Sequence, residues 1–242
     1  MLKIVRFIDR AFYPNDTDNW DDKLFRDIIL SRMKPESTVL DLGAGAGLVS
    51  EMNLRGLCNK IYGVDLDNRV LTNAYLDFAF ESDASDLPFD DNFFDLVFAD
   101  NVMEHLADPE SVFIEIQRVL KPGGRLLFKT PNRFHYVALI ARSTSHSFHR
   151  WVNALRGRDA VDTFPTLYLC NSRSQIGVLA DKVGLVVAGI TFYERRPEYL
   201  RLFWAFYLFG ILYERVVNAF TILQVFRVLL IAELRKDTIK GN

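Results

Sequence analysis

The sequence predicts an α/β fold in which a mostly parallel sheet is covered by helices on both faces. Apolar runs of strand length alternate with amphipathic helical stretches along most of the chain, and this alternation is typical of a parallel sheet. Half of the 242 residues are apolar and a quarter are charged. A chain of this size and composition can bury the core of one globular domain, and we expect one domain over residues 1–242.

The predicted elements follow one another closely in the first half of the chain. Residues 1–35 are expected to form a helical cap, and residues 36–132 contain five strands. A helix is predicted at 109–120, with Pro109 near its start, where a missing N–H costs little. The sequence KPGG at 121–124 is predicted as the turn that ends this helix. The five strands are predicted at 37–43, 60–66, 78–83, 94–100 and 125–131.

In the second half of the chain, the alternation of strands and helices is interrupted once. Residues 133–173 form an insertion rich in arginine, histidine and aromatic residues. A helix at 174–184 with a glycine stop and a sixth strand at 185–193 follow. An apolar, helical segment at 198–223 then precedes a last strand at 225–236. Within the segment 198–223, residues 202–213 form an uninterrupted apolar run. As a helix this run would be about 18 Å long, which is too short to cross a bilayer core of roughly 30 Å.

A glycine-rich turn follows the first predicted strand. Residues 39–47 read VLDLGAGAG, and a strand that ends in glycines and enters a helix presents free N–H groups to a ligand. No Gly-Lys-Ser/Thr follows, which excludes a P-loop. The dinucleotide fingerprint G-x-G-x-x-G, counted from Gly43, requires glycine where the chain has Leu48. Asp65, an acid at the end of the second predicted strand, suits the ribose hydroxyls of a nucleoside cofactor. Dinucleotide-binding folds also use an acid there, so Asp65 does not distinguish them from other cofactor classes.

Three stretches together resemble the class I S-adenosylmethionine-dependent methyltransferases, in their small-molecule, type 11-like branch. DLGAGAG (41–47) is similar to the first family motif and GVDLD (63–67) to the second, and residues 82–132 match nearly throughout. The resemblance implies S-adenosyl-L-methionine as the cofactor. It also implies a Rossmann-like, doubly wound, seven-stranded sheet whose last strand is antiparallel.

The resemblance assigns residues to the two ends of the cofactor. At the nucleoside end, Asp65 would hold the ribose and Leu66 would pack on the adenine. Asp83 would accept a hydrogen bond from the adenine amino group, and the N–H of Ala84 would bind the ring.

At the methionine end, the family pattern places Asp41, Gly43 and Gly45 around the amino acid and Asn101 near the reactive methyl. Residues 1–132 contain 14 basic and 23 acidic residues, whereas residues 133–242 contain 15 and 8. The sulfonium cation would therefore lie in the acidic half of the chain.

A general base is needed only if the acceptor must lose a proton. The candidates are Glu104, His105 and His135, and we assign catalysis to His135 and His105. NVMEH (101–105) resembles the E-x-x-E-H metal pattern of some relatives, but Asn101 replaces the first acid. Losing a hard anionic ligand weakens a magnesium site, so no metal is expected.

The basic insertion is the predicted acceptor side. Arg133, Tyr136, Arg150 and Arg156 are candidate substrate residues, because a guanidinium binds phosphate or carboxylate bidentately; a solvated basic face is the alternative. The slightly acidic chain has no recognisable RNA-binding module, which argues against nucleic acid. The apolar segment and its flanking arginines, at 195, 196, 201 and 215, favour core packing or peripheral contact with an anionic membrane.

These observations predict a methyltransferase that acts on a small or lipid-linked acceptor at oxygen. Two cysteines and no signal peptide or lipidation motif fit a cytoplasmic protein that also contacts a membrane. A non-catalytic S-adenosylmethionine-binding protein and an NAD-dependent oxidoreductase are the alternatives, and Leu48 and KPGG disfavour the second.

Overall fold

The computed structural model describes residues 2–15, 19–143, 165–201 and 203–238. Its centre is a seven-stranded sheet with the strand order β3-β2-β1-β4-β5-β7-β6. The strands are β1 Thr38–Leu42, β2 Lys60–Asp65, β3 Phe78–Glu81, β4 Phe94–Asp100, β5 Leu120–Pro131, β6 Leu185–Tyr193 and β7 Leu229–Lys236. β7 is antiparallel in an otherwise parallel sheet, which confirms the predicted fold class.

The described residues also form six α-helices. They are α1 Leu2–Phe12, α2 Trp20–Arg32, α3 Pro109–Val119, α4 Tyr136–Ser143, α5 Arg173–Val183 and α6 Trp204–Ala219. Local signals fix two of them. The Asp108 carboxylate accepts the N–H of Ser111 at the start of α3, and α5 ends at Gly184 with φ +74°, as expected for an N-cap and a glycine stop.

The sheet order reverses at β1, which pairs with β2 on one side and β4 on the other. Asp41 lies opposite Gly63 of β2 and Phe98 of β4. Parallel strands place their carboxyl ends at one edge of the sheet, and ligands bind at the edge where the order reverses. The ends of β1 to β4 therefore define the position of a candidate site.

Two expectations about the first half of the chain were wrong. The glycine turn does not enter an α-helix: within the described residues it leads to one 3-10 turn, Ser50–Met52. Asn53 and Gly56 are poor helix formers in the short path to β2. KPGG is not a simple turn either, since β5 begins at Leu120 and the pairing steps from Phe94–Leu120 to Leu96–Arg125. The extra residues form a bulge in β5.

The apolar segment 198–223 is divided differently from the prediction. α6 ends at Ala219, Phe220 is extended, and a 3-10 turn follows at Thr221–Phe226. The last strand consequently begins at Leu229 and not at residue 225. No described helix is long and apolar enough to cross a membrane.

The chain divides into two compact units. The larger unit comprises residues 21–130, 166–191 and 231–242, and it contains most of the sheet. Its core includes Phe25, Phe94, Phe98, Phe113 and Phe128, all fully buried.

The smaller unit comprises residues 1–20, 131–165 and 192–230 and contains α1, α4 and α6. It has its own apolar cluster, made of Val5, Ile8, Tyr13, Tyr207 and Ile211.

Candidate cofactor and active site

The loop after β1 has a backbone that only glycine adopts readily. Gly43, Gly45 and Gly47 have φ of +77°, +51° and +71°, in the left-handed region. The N–H groups of Gly43 and Ala44 both donate to the carbonyl oxygen of Val64, at 2.8 and 3.1 Å. A Cβ on Gly43 would lie 2.3 Å from a methyl of Val102. The loop is thus drawn against the end of β2, and its residues 43–47 are half-buried.

Asp65 joins this loop to the turn after β2. Its Oδ2 accepts the N–H of Gly45 at 2.9 Å and its Oδ1 accepts the N–H of Asp67 at 2.8 Å. A carboxylate oxygen has two lone pairs, so each oxygen can still accept from a ribose hydroxyl. The neighbouring Leu66 is 71% exposed, which leaves an apolar side chain free to pack on a flat ring.

The end of β3 supplies the next two candidates. The N–H of Ser82 donates to the carbonyl of Asp65 at 3.0 Å. Asp83 lies beyond it, and its Oδ1 accepts from the N–H and the hydroxyl of Ser85, both at 2.8 Å. Its Oδ2 is not used by these contacts. Asp65, Leu66 and Asp83 therefore lie at or just after the adjacent ends of β2 and β3.

A cluster of buried ionisable groups, Asp41, Asp100 and Lys129, lies on the neighbouring strands β1, β4 and β5. Burial, and then the charges of Asp100 and Asp65, raises the pKa of Asp41 well above its usual range. Burial also raises the pKa of Asp100 to about 6, although the ammonium of Lys129 opposes this shift at 2.9 Å. The negative charge around Asp41 suits a sulfonium or ammonium cation.

Lys129 holds this cluster together and was missed in the sequence. Its side chain is fully buried, and its ammonium lies 3.1 Å from Asp21 and also contacts Asp22. The only local signal was a lysine inside an apolar strand, and the two partners on α2 are more than a hundred residues away.

Asn101 directly follows β4 and has a left-handed backbone conformation, with φ +55°. Its N–H donates to the carbonyl of Lys129 at 2.9 Å, and its Nδ2 donates to Asp100 at 2.9 Å. The side chain is exposed, at the same sheet edge as the glycine loop.

Glu104 and His105 follow in a 3-10 turn. Glu104 is buried and accepts from the Thr130 hydroxyl at 2.9 Å, which in turn accepts from Asn171 at 2.6 Å. Burial raises the pKa of Glu104 to about 7. The Nε2 of His105 lies 3.9 Å from Glu104, and the histidine side chain is 29% exposed. This carboxyl can therefore exchange a proton near neutral pH beside an accessible imidazole.

His135 has different surroundings, in the smaller unit. It is buried, its ring lies 4.1 Å from that of Tyr136, and its Nε2 lies 3.4 Å from the Glu194 carboxylate. Burial lowers the pKa of His135 to about 3 and raises that of Glu194 to about 8. Both groups are uncharged at neutral pH, and the imidazole is closed off from solvent.

The structure places only part of the predicted acceptor side. Arg133 lies over the ring of Phe134, with 5.6 Å from its guanidinium carbon to the ring centre, and its Nε has no hydrogen-bond partner among the described residues. Tyr136 packs edge-on against Tyr213. Arg150 and Arg156 lie outside the described residues.

Comparison with known proteins finds a family match within the larger unit. Residues 40–128 match the family described as methyltransferase domain, and this span contains the glycine loop, Asp65, Asp83 and Asn101. Over these residues the chain is similar to the class I methyltransferases. S-adenosylmethionine is the cofactor of this family.

The relatives of this methyltransferase domain differ in the atom they methylate. The chain is 39% identical over 102 residues to a sterol 24-C-methyltransferase from Schizosaccharomyces pombe, covering 38% of this chain and 27% of the relative. It is 34% identical over 116 residues to a ubiquinone biosynthesis O-methyltransferase from Pseudomonas putida, covering 43% and 48%. The matches span less than half of either relative.

Solved structures show the same fold at low identity. Phosphoethanolamine N-methyltransferase 2 from Haemonchus contortus, in complex with S-adenosyl-L-methionine, has a TM-score of 0.56 and 20% identity, covering 96% of this chain and 56% of that one. The cyclase SpnF has a TM-score of 0.58 and 19% identity, covering 90% and 82%. The same fold thus occurs in a protein that is named as a cyclase and not as a methyltransferase.

Proposed function

We propose that the chain transfers a methyl group from S-adenosylmethionine to a small or lipid-linked acceptor, at oxygen. The observation that carries the proposal is the intact set of cofactor groups at the ends of β1 to β4, inside the matched methyltransferase domain. Bound S-adenosylmethionine supplies an electrophilic methyl on a sulfonium whose leaving group needs no protonation. The chain contributes chiefly by holding donor and acceptor in line.

Each cofactor residue has a role that its contacts support. Asp65 accepts from the ribose hydroxyls while it keeps its bond to the glycine loop, and Leu66 covers the adenine. Asp83 accepts from the adenine amino group, and the N–H of Ala84 donates to the ring.

Asp41, Gly43, Gly45 and Asn101 surround the methionine part. The two glycines allow the ligand to approach the backbone. Burial and the neighbouring acids favour the neutral form of Asp41, and a bound cation beside it would stabilise the ionised carboxylate. Asn101 offers an exposed amide at the end of β4, beside the position of the methyl.

An oxygen acceptor must lose a proton, and His105 is the base that the contacts favour. Its imidazole is partly exposed and lies 3.9 Å from Glu104, whose pKa is about 7. When Glu104 is ionised, its carboxylate would stabilise the imidazolium that forms as His105 takes the proton of the acceptor. His135 is the second candidate; its burial against Glu194 and Tyr136 gives it less access to an acceptor.

The acceptor is bound, in this proposal, by Arg133, Tyr136, Arg150 and Arg156. A protein with lipid-linked acceptors would act in the cytoplasm at a membrane surface. The whole chain would then function as one methyltransferase domain with an acceptor-binding part.

Radiolabelled S-adenosylmethionine tests the proposal directly. The protein is incubated with labelled cofactor and with separate aqueous and lipid extracts of its host, and the labelled product is analysed as a methyl ether or ester. His105→Gln should lower the rate roughly a hundredfold or more, with cofactor affinity unchanged, and His135→Gln should lower it less. Cofactor binding without any labelled product would instead support a non-catalytic binding protein.

A further inference from the structure

The smaller unit contains two neighbouring helices that are only half covered. α1 and α6 pack against each other through the apolar cluster of this unit, where the rings of Tyr13 and Tyr207 stack with centres 6.3 Å apart. Other large side chains of the same helices remain open. Phe7 of α1 is 73% exposed and Phe209 of α6 is 69% exposed. Monomeric soluble proteins rarely leave such side chains grouped on adjacent helices without a partner.

α1 arranges its side chains in three parallel stripes. Val5 and Ile8 are buried, and Ile4 and Phe7 are exposed. At 100° per residue, Ile4, Phe7 and Ala11 form a stripe beside the buried one. The third stripe consists of exposed cations, Lys3, Arg6 and Arg10. The exposed apolar edge of α1 is therefore bordered by positive charge.

α6 adds a broad apolar surface. Among its large apolar residues, those that point away from its buried side are Trp204, Phe206, Leu208, Phe209, Leu212 and Val216. The exposed ionic group of this helix is Arg215, whose side chain is 57% exposed.

The acids of both helices are turned inward. Asp9 accepts from Arg201 at 2.7 Å and from the Tyr207 hydroxyl at 2.6 Å. Glu214 is buried and accepts from the Tyr13 hydroxyl at 3.0 Å. The exposed charges of the two helices are consequently all positive.

The sequence attributed the positive charge beside the apolar segment to the arginines that flank it, whereas in the structure most of it comes from α1. Of the arginines that flank the apolar segment, Arg196 is buried and pairs with Glu198. Arg201 is bound by Asp9 and Glu198. These two are held within the unit, and the cations available to a partner are mainly those of α1, far away in the sequence.

We propose that the exposed faces of α1 and α6 dock on an anionic lipid bilayer. Apolar and aromatic side chains bordered by cations are typical of helices that lie in a membrane interface, and an anionic surface neutralises the stripe of Lys3, Arg6 and Arg10. A second copy of the chain would bring the same positive stripe with it. The inference concerns the smaller unit alone and does not depend on methyl transfer.

Sedimentation with vesicles tests the proposal. Vesicles of phosphatidylcholine with phosphatidylglycerol should bind the protein, with affinity falling as salt rises, and vesicles of phosphatidylcholine alone should bind it much less. Combined Lys3→Gln, Arg6→Gln and Arg10→Gln should weaken binding by roughly fivefold for each charge removed. The control removes three exposed cations of the larger unit, at Lys23, Lys34 and Arg235, and should bind as the native protein does.

An equal loss in both triple variants, or no binding of the native protein at low salt, overturns the proposal. Phe206→Ser, Phe209→Ser and Leu212→Ser should together weaken binding while the overall charge is unchanged. If sedimentation equilibrium instead shows a dimer that these serines dissociate, the face is a subunit interface. Calorimetric binding of S-adenosylmethionine, measured on every variant, reports folding, and its absence in the native protein would count against the proposed function and not against docking.

Discussion

Lys129 carries its charge in the interior of the larger unit. Three carboxylates surround it, from Asp21, Asp22 and Asp100, and they compensate for the loss of water around the ammonium. A buried charge whose partner is removed costs about 3–5 kcal/mol. The same lysine fixes the ends of β4 and β5, on which Asn101 depends for its position.

Lys129→Met should therefore lower the free energy of unfolding by about 3–5 kcal/mol, as measured by urea denaturation. Lys121→Met is the matched control. Its ammonium pairs with Asp95 at 2.7 Å but is partly exposed, and such pairs contribute about 1 kcal/mol or less. Equal losses in the two variants would show that the buried cluster is not a stabilising unit.

Glu104 makes stability depend on pH. Its folded-state pKa is raised from 4.5 to about 7, so the folded chain binds a proton that the unfolded chain has released. The contribution of this group is present in full below about pH 4.5 and is lost as the pH rises to about 7. Glu104→Gln should remove the part of the decline in stability between about pH 4.5 and pH 7 that this carboxyl causes.

Urea unfolding across this pH range should thus give a flatter stability profile for Glu104→Gln than for the native protein. The exposed Glu110 provides the control, since Glu110→Gln should leave the native profile unchanged. A Glu104→Gln profile as steep as the native one would contradict the assignment of a raised pKa to this carboxyl.

The glycine loop is the element on which the proposed cofactor site depends. Gly43 has no space for a side chain, because a Cβ would lie 2.3 Å from Val102. Among the described residues, a Cβ on Gly45 would have one neighbour within 4 Å, the Asp65 carboxylate at 4.0 Å. The two positions share a left-handed backbone and differ in the room around them.

Gly43→Ala should lower both stability and affinity for S-adenosylmethionine, and Val102→Ala should restore part of the stability by removing the clash. Gly45→Ala should lose roughly 1–2 kcal/mol of stability through backbone strain. It should also lose affinity, because its Cβ would lie 4.0 Å from the Asp65 carboxylate that is proposed to hold the ribose. Thermal unfolding and calorimetry measure the two effects. A Gly43→Ala variant as stable as Gly45→Ala would contradict the packing of the loop against Val102.

Elements with strong local signals were predictable from the sequence. β4 and β6 have the predicted bounds, and α3 and α5 lie within one residue of theirs, because an apolar run, a capping side chain or a glycine stop marks each end. The missing helix after the glycine loop and the bulge in β5 depend on contacts between distant residues. Lys129 and the Glu104–Thr130–Asn171 chain were missed for the same reason.

Charge is divided along the molecule as a whole. Residues 1–132 contain 14 basic and 23 acidic residues, and residues 133–242 contain 15 and 8. The acidic part carries the groups that suit a cationic cofactor. α1 is a local exception, since its exposed charges are positive and its acid is paired inside the smaller unit. This arrangement is consistent with a cofactor and an anionic surface that are recognised by separate parts of the chain.

Binding of S-adenosylmethionine by Asp65→Ala tests the central claim most directly. Calorimetry should show tight binding by the native protein and a loss of about 1.5–3 kcal/mol in the variant, because an acceptor for two ribose hydroxyls is removed. Asp91→Ala is the control, since its carboxylate is 69% exposed, and it should bind as the native protein does. An unchanged dissociation constant in Asp65→Ala, or no binding by the native protein, would contradict the assignment of the cofactor site.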